Sequence, residues 1–180
     1  AKALLDESQQ LFGKFETQFQ EMVSLRAERV RFETALRPAA ETIQKSLQLV
    51  LVKARDSGDM SASFKASACL QHFFEGLMRV NQFLLTSDPA QATGATASLN
   101  KLVEAGKQID KEIAEMEEFD ATFKDPERRS ALKAAVTEAQ SLLSGLSRVS
   151  EGIARARVLY ETEMKAAAAN FSSRIEKLNQ

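Results

Sequence analysis

Apolar residues recur at steps of three and four along nearly the whole chain, a spacing that suits long amphipathic helices and little else. The first stretch runs Leu11, Phe15, Gln18, Met22, Leu25, Arg29, Phe32 and Leu36, then Ala40, Ile43, Leu47, Val50 and Ala54. A third carries Ala95, Leu99, Leu102, Gly106, Ile109, Ile113 and Met116, with Phe123 beyond. A fourth carries Leu132, Ala135, Ala139, Leu142, Leu146, Val149 and Ile153, then Tyr160, Ala167, Phe171, Ile175 and Leu178. Between them, the second is apolar over a wider arc (Cys69, Leu70, Phe73, Phe74, Leu77, Val80, Phe83, Leu84), as expected of a helix touching two neighbours. No Val/Ile/Thr-rich alternating run argues for strands, and only 3 Pro and 7 Gly interrupt the helix formers.

Three turn signals separate the stripes. "RDSGDMS" places Gly58 where a helix can stop in a left-handed conformation, with Asp59 or Ser61 to cap the next. "TSDPAQ" offers Ser87 or Asp88 as cap and Pro89 at the first helical position, and "FKDPERR" repeats this with Asp125 and Pro126. The spacing predicts helices near 2–55, 60–86, 89–124 and 127–179, with Pro38 kinking or breaking the first. Short turns force neighbours antiparallel, so the expected fold is all-α, an up-down-up-down four-helix bundle. The outer helices are too long for it. At about 1.5 Å per residue they reach roughly 80 Å, against about 40 and 50 Å for the middle two. The 180 residues therefore read as one helical module, a bundle near 27–156 with paired arms near 1–26 and 157–180. Both ends fall inside helical patterns, which predicts a piece of something longer.

Composition removes several function classes. Hydrophobic residues at 44% support a real core, and a net charge of −1 supplies no basic field for nucleic acid. The single cysteine, Cys69, has no internal disulfide partner and no metal-ligand spacing around it. No run of 18 apolar residues predicts a membrane span, and no basic start followed by an apolar stretch gives the pattern expected of a signal peptide. No Ser/His/Asp set, phosphate loop or metal spacing is present, and one histidine, His72, excludes the paired Glu-x-x-His motifs of a di-iron bundle. No catalysis, cofactor or metal is expected.

The pieces "FETQFQEMVSLRAER", "RDSGD", "LMRVNQFLLTSDPAQ", "DPERRSALKAAVTEAQSLLSGLSRVSEGI" and "YETEMKAAAANFSSRIEKL" resemble the helical bimodular sensor domain of bacterial chemoreceptors and sensor histidine kinases, mainly its distal module. The resemblance covers about 11–178. It implies a periplasmic domain of an inner-membrane receptor, homodimeric about the membrane normal. Such a domain binds a small metabolite, often an organic acid, or a periplasmic binding protein, and signals by moving a helix.

Arg29 is the sharpest candidate for ligand contact, because it falls on the core stripe between Leu25 and Phe32. A buried guanidinium needs a carboxylate, from a ligand or from the protein. Arg26, three residues earlier, could complete a fork, and counting residues places Tyr160 at the same level as Arg29. The internal alternative pairs Arg29 with Asp88 or Glu161. Asn81 interrupts an apolar line between Leu77 and Leu84, either to orient a ligand or to fix register. Arg79 either pairs with Glu75 on a solvated face or faces a second subunit. The acidic run at 110–120 reads as a solvated face, His72 as a surface residue, and "EMKAAAANF" as filler or a close approach for a partner helix.

The expected function is a ligand-binding sensor for a small anionic metabolite that transmits a helix displacement. The alternative is a non-catalytic scaffold that dimerises or docks a partner protein along a helix face.

Overall fold

The computed structural model describes residues 2–121 and 124–178, with side chains over 7–121 and 124–176. Helices α1 (Lys2–Asp56), α2 (Met60–Thr86), α3 (Pro89–Phe119) and α4 (Pro126–Val158) follow one another, and a π-helical turn (Leu159–Met164) leads into α5 (Lys165–Leu178). There is no strand among the described residues. The stripe members Phe123 and Leu178 have side chains outside those described. Two compact units divide the chain: Phe32–Arg148, and Ala1–Arg31 with Val149–Gln180.

Within 32–148, four helices pack against each other through the expected stripes. Ile43, Leu47 and Val50 of α1, Phe73, Val80 and Phe83 of α2, Leu99, Leu102 and Ile109 of α3, and Leu132, Ala139 and Leu146 of α4 are all buried. Small residues set how closely the helices approach. A Cβ at Gly145 would meet the Phe32 ring at 2.6 Å, and one at Gly106 would meet Val136 at 2.5 Å, so both positions are closed to larger side chains. Cys69 is fully buried between α2 and α3, its thiol donating weakly to the Leu102 carbonyl at 3.8 Å. Burial pushes that thiol up to about 11, which leaves it an inert apolar group.

The turns follow their sequence signals. Gly58 adopts φ 72°, Asp88 accepts from the Ala90 amide with Pro89 at the first helical position, and Asp125 accepts from the Arg128 amide at 2.9 Å. Ser87, a candidate cap for α3, instead ends α2 at φ 55°. α3 stops at Phe119, short of 124. Helix α1 runs unbroken through Pro38, which lies on an exposed face where its ring meets solvent rather than another helix. The acidic run is less solvated than its composition implies. Arg129 reaches both Asp110 and Glu117 at 2.9 Å, and Lys65 engages Glu112.

One carboxylate at this end of the unit serves two partners. Asp59 accepts from the Ala62 amide at 2.9 Å, capping α2, and from the Arg128 guanidinium of α4 at 2.5 Å. The Arg128 side chain is only 5% exposed, so it depends on that oxygen. Burial opposes ionisation of Asp59, but the Ala62 amide and Arg128 outweigh it and hold the carboxyl below its usual range.

Asp59→Ala leaves a buried cation alone and removes a cap, so urea unfolding at neutral pH should show a loss of about 3–5 kcal/mol. Asp59→Asn keeps a cap oxygen and should lose less. Because the folded carboxyl is depressed, its contribution is complete above the unfolded value of about 3.9 and disappears as pH falls through the folded value. The stability gap between the native chain and Asp59→Asn should therefore shrink in acid below about pH 4.

Candidate functional site

The unit formed by 1–31 and 149–180 holds a polar cluster that helical periodicity alone does not reveal. Gln18 lies on the α1 stripe and is 4% exposed. Its Nε2 donates to Glu163 Oε2 at 2.8 Å, while its Oε1 is buried without a partner. Arg155 of α4 donates through Nε to Glu21 at 2.7 Å and through Nη1 to Glu163 at 2.7 Å. Hydrogen bonds to Glu21 and then Glu163 push the Arg155 guanidinium further up. Arg155, followed by Gln18, holds Glu163 below the usual carboxylate range.

The π-helical turn makes this arrangement possible. Bonding from i to i+5 rather than i+4, as Lys165 N–H donates to the Tyr160 carbonyl, shifts which residues face inward. Leu159 is buried at the start of this turn and Glu163 within it bonds Gln18, while Tyr160, which α-helical spacing assigns to the stripe, is 51% exposed. The Lys165 ammonium lies 5.0 Å from the centre of the Tyr160 ring and pairs with Glu161 at 2.9 Å. Beyond the cluster, Leu11, Phe12, Phe15, Ala167 and Phe171 line an apolar cavity of about 250 Å³ between α1 and α5. The small residues of "EMKAAAANF" therefore form part of a groove wall.

Within the unit 1–31 with 149–180, Arg26, Arg29 and Tyr160 do not gather at one place. Arg29 is half-buried and Arg26 exposed on α1. Contacts pair Glu7 with Arg174, Gln18 with Glu163, Glu21 with Arg155, and Leu25 with Gly152. Continuing that series sets Tyr160 near the level of Gln18 to Glu21, so Arg29 lies roughly 12–16 Å further along at ~1.5 Å per residue. The expectation that Arg29 and Tyr160 share a level is corrected, because side-chain contacts and not distances counted from turns set the register. Asn81, expected to break an inward apolar line, is exposed. Arg79 does pair with Glu75, at 3.4 Å, but it also packs over Gly94, and its Nε is buried without a partner. Asn81 and Arg79 belong to the unit 32–148, and Arg26, Arg29 and Tyr160 to the other. His72 is half-buried, with Nδ1 shielded and unpartnered.

Among the described residues no group of three or more His, Cys, Asp or Glu could hold a metal ion, and no helix is long and apolar enough to cross a membrane. The cluster contains one guanidinium, two carboxylates and an unused acceptor, a set suited to hydrogen bonding and ion exchange between partners. Compared with known families, with curated proteins and with solved structures, the chain matches none of them.

Gln18→Leu removes the orphaned oxygen and its desolvation cost, and loses one bond to a carboxylate that Arg155 still neutralises. The melting temperature should stay level or rise by a few degrees, corresponding to at most about 1 kcal/mol. A fall equivalent to more than about 2 kcal/mol would show that the amide is structurally required.

Proposed function

We propose that the chain is a non-catalytic sensor module of a bacterial transmembrane receptor, periplasmic and homodimeric, that converts binding of a small metabolite into a helix displacement. Its fold in this reading is an up-down-up-down antiparallel bundle. The three-residue and two-residue connections after α1 and α2 support that topology. So does the contact series Lys65 with Glu112, Cys69 with Leu102, and Arg79 with Gly94, in which α2 ascends as α3 descends.

One observation carries the ligand part: Gln18 is 4% exposed with an unpaired oxygen, and it sits beside an arginine whose two carboxylate partners are both partly solvated. A buried acceptor without a donor costs about 1–3 kcal/mol, and a ligand donor there recovers it. The metabolite that fits is an organic acid bearing a hydroxyl or amine. Its donor satisfies Gln18 Oε1, and its carboxylate takes the place of Glu21 or Glu163 on Arg155. Releasing either side chain alters the tie between α1 and the α4–α5 region, which is the differential contact a two-state switch requires. Arg26 and Arg29, one exposed and one half-buried, add cationic character along α1 and attract the anion. A periplasmic binding protein remains a partner in this reading, docking outside the cluster.

The scaffold reading also has an observation in its favour, the exposed apolar face of α2. A thermal-shift screen with hydroxy and amino acids separates the two. The sensor reading expects at least one ligand to raise the melting temperature, with a shift that vanishes in Arg155→Ala and shrinks at least tenfold in apparent affinity in Gln18→Leu. A flat screen across both ligand classes would favour the scaffold.

A further inference from the structure

The outward faces of the helices in 32–148 are not alike. Exposed positions of α1, α3 and α4 in this unit are mostly charged or polar, for example Glu41, Lys45, Lys101, Lys107, Lys133 and Gln140. On α2 the exposed row is apolar: Met60, Phe64, Phe74, Met78 and Leu85, with Phe64 78% and Leu85 85% exposed. Ser67, Gln71 and Asn81 complete the same row. These eight positions alternate at steps of four and three across the whole helix, which is the a/d seam of a heptad repeat. Leu70, Leu77 and Leu84 flank the seam half-buried, and the nearby charges are taken internally, Lys65 by Glu112 and Arg79 by Glu75.

We propose that α2 is the dimer seam of this protein, pairing in parallel with α2 of a second copy about a two-fold axis. The pattern is matched to itself. In parallel register every layer meets its own number, so Met60, Phe64, Phe74, Met78 and Leu85 each bury against apolar partners. Gln71 meets Gln71 and Asn81 meets Asn81, where paired amides satisfy each other's donors and acceptors. Antiparallel pairing would set the Asn81 amide against Phe64 and the Gln71 amide against Phe74, leaving both unsatisfied. The five large apolar side chains alone offer on the order of 600 Å² per copy, close to the ~800 Å² per partner of a standard interface. A seam without charges does not suit a strongly acidic or basic partner, and its two amides find like partners only when both copies run in the same direction and register. Asn81 thus acquires a role: it interrupts an apolar line, and that line belongs to the subunit interface.

The assignment rests on the homodimer in the proposed function, but its test contains no ligand, so the two can fail separately. Sedimentation of the whole chain across micromolar concentrations should show a reversible dimer. Phe74→Glu should weaken it at least tenfold while the helical circular dichroism is retained, because that side chain is 48% exposed. Lys107→Glu, on the outer face of α3, should leave the dimer intact. In a Cys69→Ala background, oxidised Asn81→Cys should link to itself. A chain that stays monomeric, or a dimer indifferent to Phe74→Glu, overturns the seam. An Asn81→Cys chain that links only to Phe64→Cys chains in a mixture overturns the parallel register.

Discussion

The Asp59 carboxylate is the point on which the 32–148 unit depends. A buried guanidinium is tolerable only if an anion meets it, and Arg128 has Asp59 as its counter-ion. The same carboxylate opens α2 by capping Ala62, so the start of one helix and the charge balance of another are set by one side chain. Any shift of α2 along its axis would separate that pair, which makes the turn at 57–59 a register lock. The surrounding ion pairs, Lys53 with Glu127 and Arg129 with Asp110 and Glu117, are more solvated and add less each.

The unit 1–31 with 149–180 is tied differently. Its ties are polar and partly exposed: Arg155 with Glu21 and Glu163, and Gln18 with Glu163. Among the described residues its buried apolar side chains are Val149, Leu159 and Ala167. Elements held by exchangeable polar contacts open more easily than those held by packing. The proposed ligand response would draw on that property, and the unit also contains a π-helical turn with i to i+5 bonding.

The α2 face and the Gln18 cluster show two ways in which an unsatisfied surface points to a partner. In the cluster one buried acceptor lacks a donor, which the proposed small ligand would supply. On α2 a long row of apolar side chains lacks cover, which the proposed second copy would supply along its length. The two needs are independent, since they arise in different units and from different physical terms, desolvation of a polar atom in one and exposure of apolar area in the other.

Periodicity and turn chemistry alone determined the helices, because a stripe at steps of three and four and an Asp-Pro or Gly at each turn are local properties. The core members Ile43, Leu47, Leu99, Leu102, Leu132 and Leu146 followed from the same pattern. Tertiary structure decided where polar residues end up, since that depends on which neighbour lies opposite. Nothing in the local sequence around Arg128 marks it as buried; Asp59, 69 residues away, lies across from it only in the fold. Tyr160 lies outside the stripe, at a π turn that a fixed period does not show, where Leu159 is buried and Glu163 bonds Gln18. The apolar arc of α2 read as contact with two neighbouring helices, and only the packed structure showed part of it facing outward. A sequence specifies the faces of a helix, but the number of partners available in three dimensions decides which of those faces is covered.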